Sequence, residues 1–126
     1  MTTIIISTRY RFRGARSAMT SIRMTQLCVH IPPQFPAERV AAVVDAAVQQ
    51  MSLDIVSRGT LKTYPGSVHW HTKRDTESGT LEITWWPQRR RLWLKVQRGR
   101  TAKWIDEAMP QLKAQLEQAL HRDVFR

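Results

Sequence analysis

Trp86 and Trp93 stand among Arg89, Arg90, Arg91 and Lys95, with Arg98, Arg100 and Lys103 close behind. Indole rings offer faces on which nucleic-acid bases stack, while guanidinium and ammonium groups neutralise phosphates. This composition suits single-stranded or structured nucleic acid better than a specific duplex sequence. Trp86 and Trp93 are the residues expected to stack, and Arg89, Arg91, Lys95, Arg98 and Arg100 those expected to meet phosphates. The same indoles could instead anchor a protein partner or a second copy of the chain. In the blandest reading they cover neighbouring apolar stems while the basic groups keep an edge soluble.

A second constellation is His69-x-His71, two imidazoles that a strand would project from one face, with Glu82 as a third potential metal ligand from the next strand. Cys28 and His30 share a face of an earlier strand and join only if that strand is adjacent. No CxxC or HExxH spacing accompanies them, so paired, solvated histidines are the default expectation and no metal or other cofactor is assigned. The sequence has no GxSxG, no Gly-rich phosphate loop and no paired-carboxylate arrangement. A non-enzymatic binding protein is therefore expected, with Cys28 as inert packing.

These side chains need a sheet to hold them, and the alternation of residue types supplies one. Segments 80–86 and 91–97 flank Pro87 to Arg90, a connection short enough for a hairpin. A turn centred on Gln88 and Arg89 sets Leu81, Ile83 and Trp85 against Val96, Leu94 and Leu92, all apolar. On the other face it pairs Glu82 with Lys95, Thr84 with Trp93, and Trp86 with Arg91. A preceding strand sets Val68, Trp70 and Thr72 against Trp85, Ile83 and Leu81. His71 then falls beside Glu82 and His69 beside Thr84. A slip of one residue would invert every strand, so agreement across two hairpins specifies this register.

Elsewhere, Leu27, Val29 and Ile31 alternate in a first strand ended by Pro32 and Pro33. Pro36 opens a helix whose stripe is Val40, Val43, Val44, Ala47, Val48 and Met51. Residues 54–62 read as a strand with Gly59 marking a bend or bulge, and Tyr64, Pro65 and Gly66 as a turn. Thr101 is placed to cap a last helix striped by Ile105, Ala108, Met109, Leu112, Leu116, Ala119 and Leu120, which Pro110 should kink or restart. The expected architecture is α+β: an antiparallel sheet of four to five strands, β-α-β-β-β-β-α, with both helices on its apolar face.

From Pro36 to Leu120 this order resembles a double-stranded-RNA-binding domain, with Pro65, Gly66 and His69 similar to that family's Pro/His-bearing connection and Arg100 and Lys103 near the second helix's start. The family's consecutive lysines and glycine spacing are absent, and a strand precedes the first helix. The likeness is one of topology, and no function or site residue is carried over from it.

The 126 residues suffice for one domain, and five tryptophans with 42% hydrophobic residues exclude wholesale disorder. The net charge of +10 is uneven: Arg9, Arg11, Arg13, Arg16 and Arg23 face no acid before Met24, and later residues carry an excess of five. Residues 1–23 are thus expected to be a basic extension: a disordered arm, a targeting segment or, the favoured reading, residues upstream of a start at Met19 or Met24. Residues 24–126 form the single expected domain. One cysteine and no apolar run long enough for a bilayer suit a cytoplasmic location without a membrane partner.

Overall fold

The computed structural model describes residues 25–124, so the basic segment 1–23 lies outside the described residues. Strands β1 (Gln26–Val29), β2 (Asp54–Gly59), β3 (Val68–Lys73), β4 (Leu81–Trp86) and β5 (Arg91–Lys95) form one sheet. Helices α1 (Val40–Gln50) and α2 (Lys103–Val124) complete the fold. The strand order is β1-β5-β4-β3-β2 with every pair antiparallel, which makes this the expected α+β class. The central register matches the alternation argument: Ile83 lies opposite both Trp70 and Leu94, and Glu82 opposite both His71 and Lys95.

Apolar residues of alternate positions meet the two helix stripes in one core. Trp70, Leu81, Ile83, Leu92 and Leu94 from the sheet are buried with Val40, Val44 and Val48 of α1 and with Ile105, Leu112 and Leu116 of α2. The β-branched valines make α1 a weak helix in isolation, so burial of this stripe holds it. Polar contacts fix the pieces in place. Trp70 Nε1 donates to Asp45 Oδ1 at 2.8 Å, joining β3 to α1, and the His30 amide donates to Glu117 Oε2 at 2.7 Å, joining the end of β1 to α2.

The structure refines three local expectations. The bulge in β2 falls between Ile55 and Ser57, leaving Val56 exposed, whereas Gly59 pairs regularly with His69. The β4–β5 turn is centred on Gln88 and Arg89 as expected, with Trp86 opposite Arg91; it is built as a 3-10 turn over Pro87–Arg89 that reverses through Arg90 at φ 49°, whose guanidinium donates to the Pro32 and Phe35 carbonyls. Finally, α2 runs on through Pro110 rather than restarting there.

Among the described residues Gly79, just before β4, is the one glycine with both a left-handed backbone and no room. At φ +98° an added Cβ would lie 2.8 Å from Ala102 Cβ and 3.1 Å from the Arg100 carbonyl oxygen. The Thr80 amide donates to that same carbonyl, so the neighbour is fixed backbone. Gly79→Ala is expected to lower stability by about 2 kcal/mol or more, from strain and overpacking together. A urea midpoint corresponding to a loss under about 0.5 kcal/mol would show that the strand entry can move aside.

Candidate metal centre

The pleat sends His69 and His71 of β3 and Glu82 and Thr84 of β4 to the face opposite the helices, while Trp70 between the histidines is locked into the core. Glu82 and Thr84 are nevertheless buried, at 3% and 2% exposure. The sheet face opposite the helices is therefore a covered cleft rather than an open surface. Its cover is the β2–β3 connection, where Ser67 Oγ accepts from the Leu61 amide and Tyr64 folds back over the sheet. The Tyr64 ring stands edge-on to Trp86 at 4.9 Å and to Trp93 at 5.0 Å.

Beneath that cover, three side chains converge. His69 Nε2 lies 3.2 Å from Glu82 Oε1 and 3.1 Å from His71 Nε2, and His71 Nε2 lies 4.0 Å from Glu82 Oε2. Ligand atoms about 2.0–2.1 Å from a tetrahedral ion stand roughly 3.3 Å apart, so two of these separations suit a shared ion and the third needs a small closure. His69 Nδ1 is 2.7 Å from Thr84 Oγ1. With the Nδ1 proton donated to that hydroxyl, Nε2 turns a lone pair towards the cluster, which is how metal-binding imidazoles are commonly oriented.

Two further features bear on the chemistry. Glu82 Oε2 is buried without a hydrogen-bond partner, a condition that costs a carboxylate about 1–3 kcal/mol or more. The pKa of His69 lies below its ordinary value. Burial is the largest cause, opposed by the Glu82 charge and hydrogen bond and assisted by His71 and Lys95. The folded state thus favours neutral imidazole at His69, the form that ligates a metal.

The same shift sets a pH dependence. The unfolded chain protonates His69 near its ordinary value of 6.5, whereas the folded chain does so only at lower pH. The stability it contributes is present above 6.5 and declines as pH falls from there towards the folded value. Urea denaturation with chelator present is expected to show lower stability at pH 5.5 than at pH 7.5, with a smaller drop in His69→Gln. An equal drop in both proteins would assign the effect to other groups.

No protein-family model, curated protein or solved structure matches the chain. Function is therefore read from geometry. Among the described residues His69, His71 and Glu82 are the one group of three such ligands within mutual reach, their ligand atoms lying within 4.8 Å of one another. Cys28 pairs with Trp93 on edge strand β1, exposed and outside the cluster, and His30 follows that strand, also exposed.

The expected nucleic-acid residues divide. Trp93 retains 5% exposure, with Tyr64 at its edge and the Arg91 guanidinium 5.2 Å from its ring centroid, so it presents no free face for a base. Trp86 is half-buried, donates from Nε1 to the Pro65 carbonyl at 3.2 Å and carries Arg89 over its ring. Arg91 and Lys95 line a cavity of about 230 Å³ together with Tyr64, His69, His71 and Glu82. Arg98 and Arg100 are exposed in the turn before α2, outside that lining. Sequence spacing found the His-x-His pair and Glu82. It missed Tyr64 as their cover and Thr84 as the hydroxyl that orients His69.

Proposed function

We propose that this protein binds one divalent transition-metal ion of the zinc class through His69 Nε2, His71 Nε2 and the Glu82 carboxylate. The observation that carries the reading is the buried, unpartnered Glu82 Oε2 beside two imidazoles. Without a cation the cluster leaves a buried anion incompletely satisfied, which is costly. An ion at its centre satisfies the carboxylate and both nitrogens at once. Imidazole with carboxylate suits zinc, iron, nickel or copper better than magnesium or calcium, which prefer all-oxygen sites. Full-length protein purified without an affinity tag and titrated with zinc against a competing chelator is expected to bind one equivalent. Absence of stoichiometric zinc, together with no visible cobalt(II) spectrum on substitution, would overturn the reading.

A second reading keeps single-stranded or structured nucleic acid as the partner, favoured by the Arg89–Trp86 pair at 5.8 Å beside exposed Arg91, Lys95, Arg98 and Arg100. On this reading Trp86 stacks alone and the basic groups contact phosphates. Anisotropy titration of a labelled single-stranded oligonucleotide checks it: Trp86→Ala should weaken binding roughly fivefold or more. Undiminished binding by the variant would remove stacking from the account.

A further inference from the structure

We infer that a small phosphate-bearing ligand completes the metal centre by taking the ion's open position from the cavity under Tyr64. The inference rests on the metal reading above. Structural zinc sites use four protein ligands, whereas sites with three keep a position for water or a ligand. Here the described residues supply three. Residues 1–24 and 125–126 contain no His, Cys, Asp or Glu, so they bring no ligand of these types to a fourth position.

The three ligands all line the 230 Å³ cavity, so an ion held by them faces it. That volume falls below the ~300–1,000 Å³ of pockets that enclose drug-sized molecules, which restricts the occupant to something small. Charge restricts it further. A divalent ion outweighs the single Glu82 carboxylate, and Lys95 and Arg91 add cations to the wall. Lys95 sits directly across the ladder from Glu82 and is exposed, with a stem long enough to bring its ammonium to a group bound at the ion. The Arg91 guanidinium is steadied over the Trp93 ring. A site of net positive charge with two donors beside the metal favours a dianion over a monoanion. A phosphate monoester meets that demand: one oxygen binds the metal and the others accept from Lys95 and Arg91.

The test uses the full chain loaded with cobalt(II), whose visible spectrum reports its coordination, and titrates it with inorganic phosphate, phenyl phosphate, acetate and a dinucleotide phosphodiester. Phosphate and phenyl phosphate are expected to shift the spectrum and to bind roughly tenfold or more tighter than acetate or the dinucleotide. Lys95→Met, at an exposed position that is not a metal ligand, should keep one cobalt equivalent and weaken phosphate binding roughly tenfold. Several results would overturn the proposal: a spectrum unmoved by phosphate, acetate binding equally well, or Lys95→Met binding phosphate as the native chain does. Dinucleotide binding as tight as phenyl phosphate would also overturn it and point to a nucleic-acid backbone at the metal. Failure to bind cobalt at all would remove the metal reading and this one together, and it is read before any anion is added.

Discussion

Glu82→Gln is expected to reduce zinc affinity by roughly 100-fold or more while leaving the metal-free fold as stable as the native chain, or up to about 1 kcal/mol more stable. The two halves of this result come from one cause. Glutamine has nearly the shape of glutamate, and its amide can donate to the His69 Nε2 lone pair, now 3.2 Å from Oε1. It removes the charge whose second oxygen is buried without a partner. If Glu82 served only to pair with His69, its loss should instead cost about 3–5 kcal/mol, as breaking a buried ion pair does. Zinc titration and urea denaturation in chelator separate the cases. Undiminished affinity would release Glu82 from the site, and a large loss of metal-free stability would make it a structural ion-pair partner.

The sheet was legible because its physics is periodic. Trp70, Ile83 and Leu94 on one face, with His71, Glu82 and Lys95 on the other, admit a single pairing of β3, β4 and β5. That periodicity also brought His69, His71 and Glu82 to one patch. It could not tell how Glu82 orients: the register put it beside both Lys95 and His71, and the carboxylate turns to the histidines, 3.2 Å from His69 Nε2 and 4.0 Å from His71 Nε2. Nor could it foresee the cover. Residues 60–67 have no repeating pattern, and the contact of Tyr64 with Trp86 and Trp93 depends on where the loop lands across the sheet. Burial of Trp93, and with it the loss of a free stacking face, follows from that contact. The bulge at Val56 escaped for the opposite reason: Gly59 is a local signal for a bend, but the pairing of β2 with β3 decides which residue is extra.

Trp70→Ala is expected to unfold the domain or to cost about 3–5 kcal/mol, the range for emptying a fully buried tryptophan site. Against a typical total of roughly 5–15 kcal/mol for a domain, that is a large share. Trp70 has no exposed surface, and its indole N–H is held by Asp45 of α1, whose carboxylate also lies 3.7 Å from Arg58 of β2. The Arg58 guanidinium lies 5.6 Å from the indole centroid, so helix, edge strand and its inner neighbour β3 meet at this ring. The consequence for function follows from the pleat. His69 and His71 flank Trp70 and point the other way, so the indole anchors the backbone from which both imidazoles project. Trp70→Phe keeps much of the apolar volume but loses the bond to Asp45, and should cost about 1–2 kcal/mol. It is also expected to weaken zinc binding several-fold, although residue 70 touches no ligand, because spacing errors of a few tenths of an ångström matter at a metal centre. Saturating zinc should then recover part of the lost stability, since an ion bound only by the folded state stabilises it by mass action. A Trp70→Ala protein within about 1 kcal/mol of the native chain would contradict the anchoring role. Unchanged zinc affinity in Trp70→Phe would show that the histidines are positioned without it.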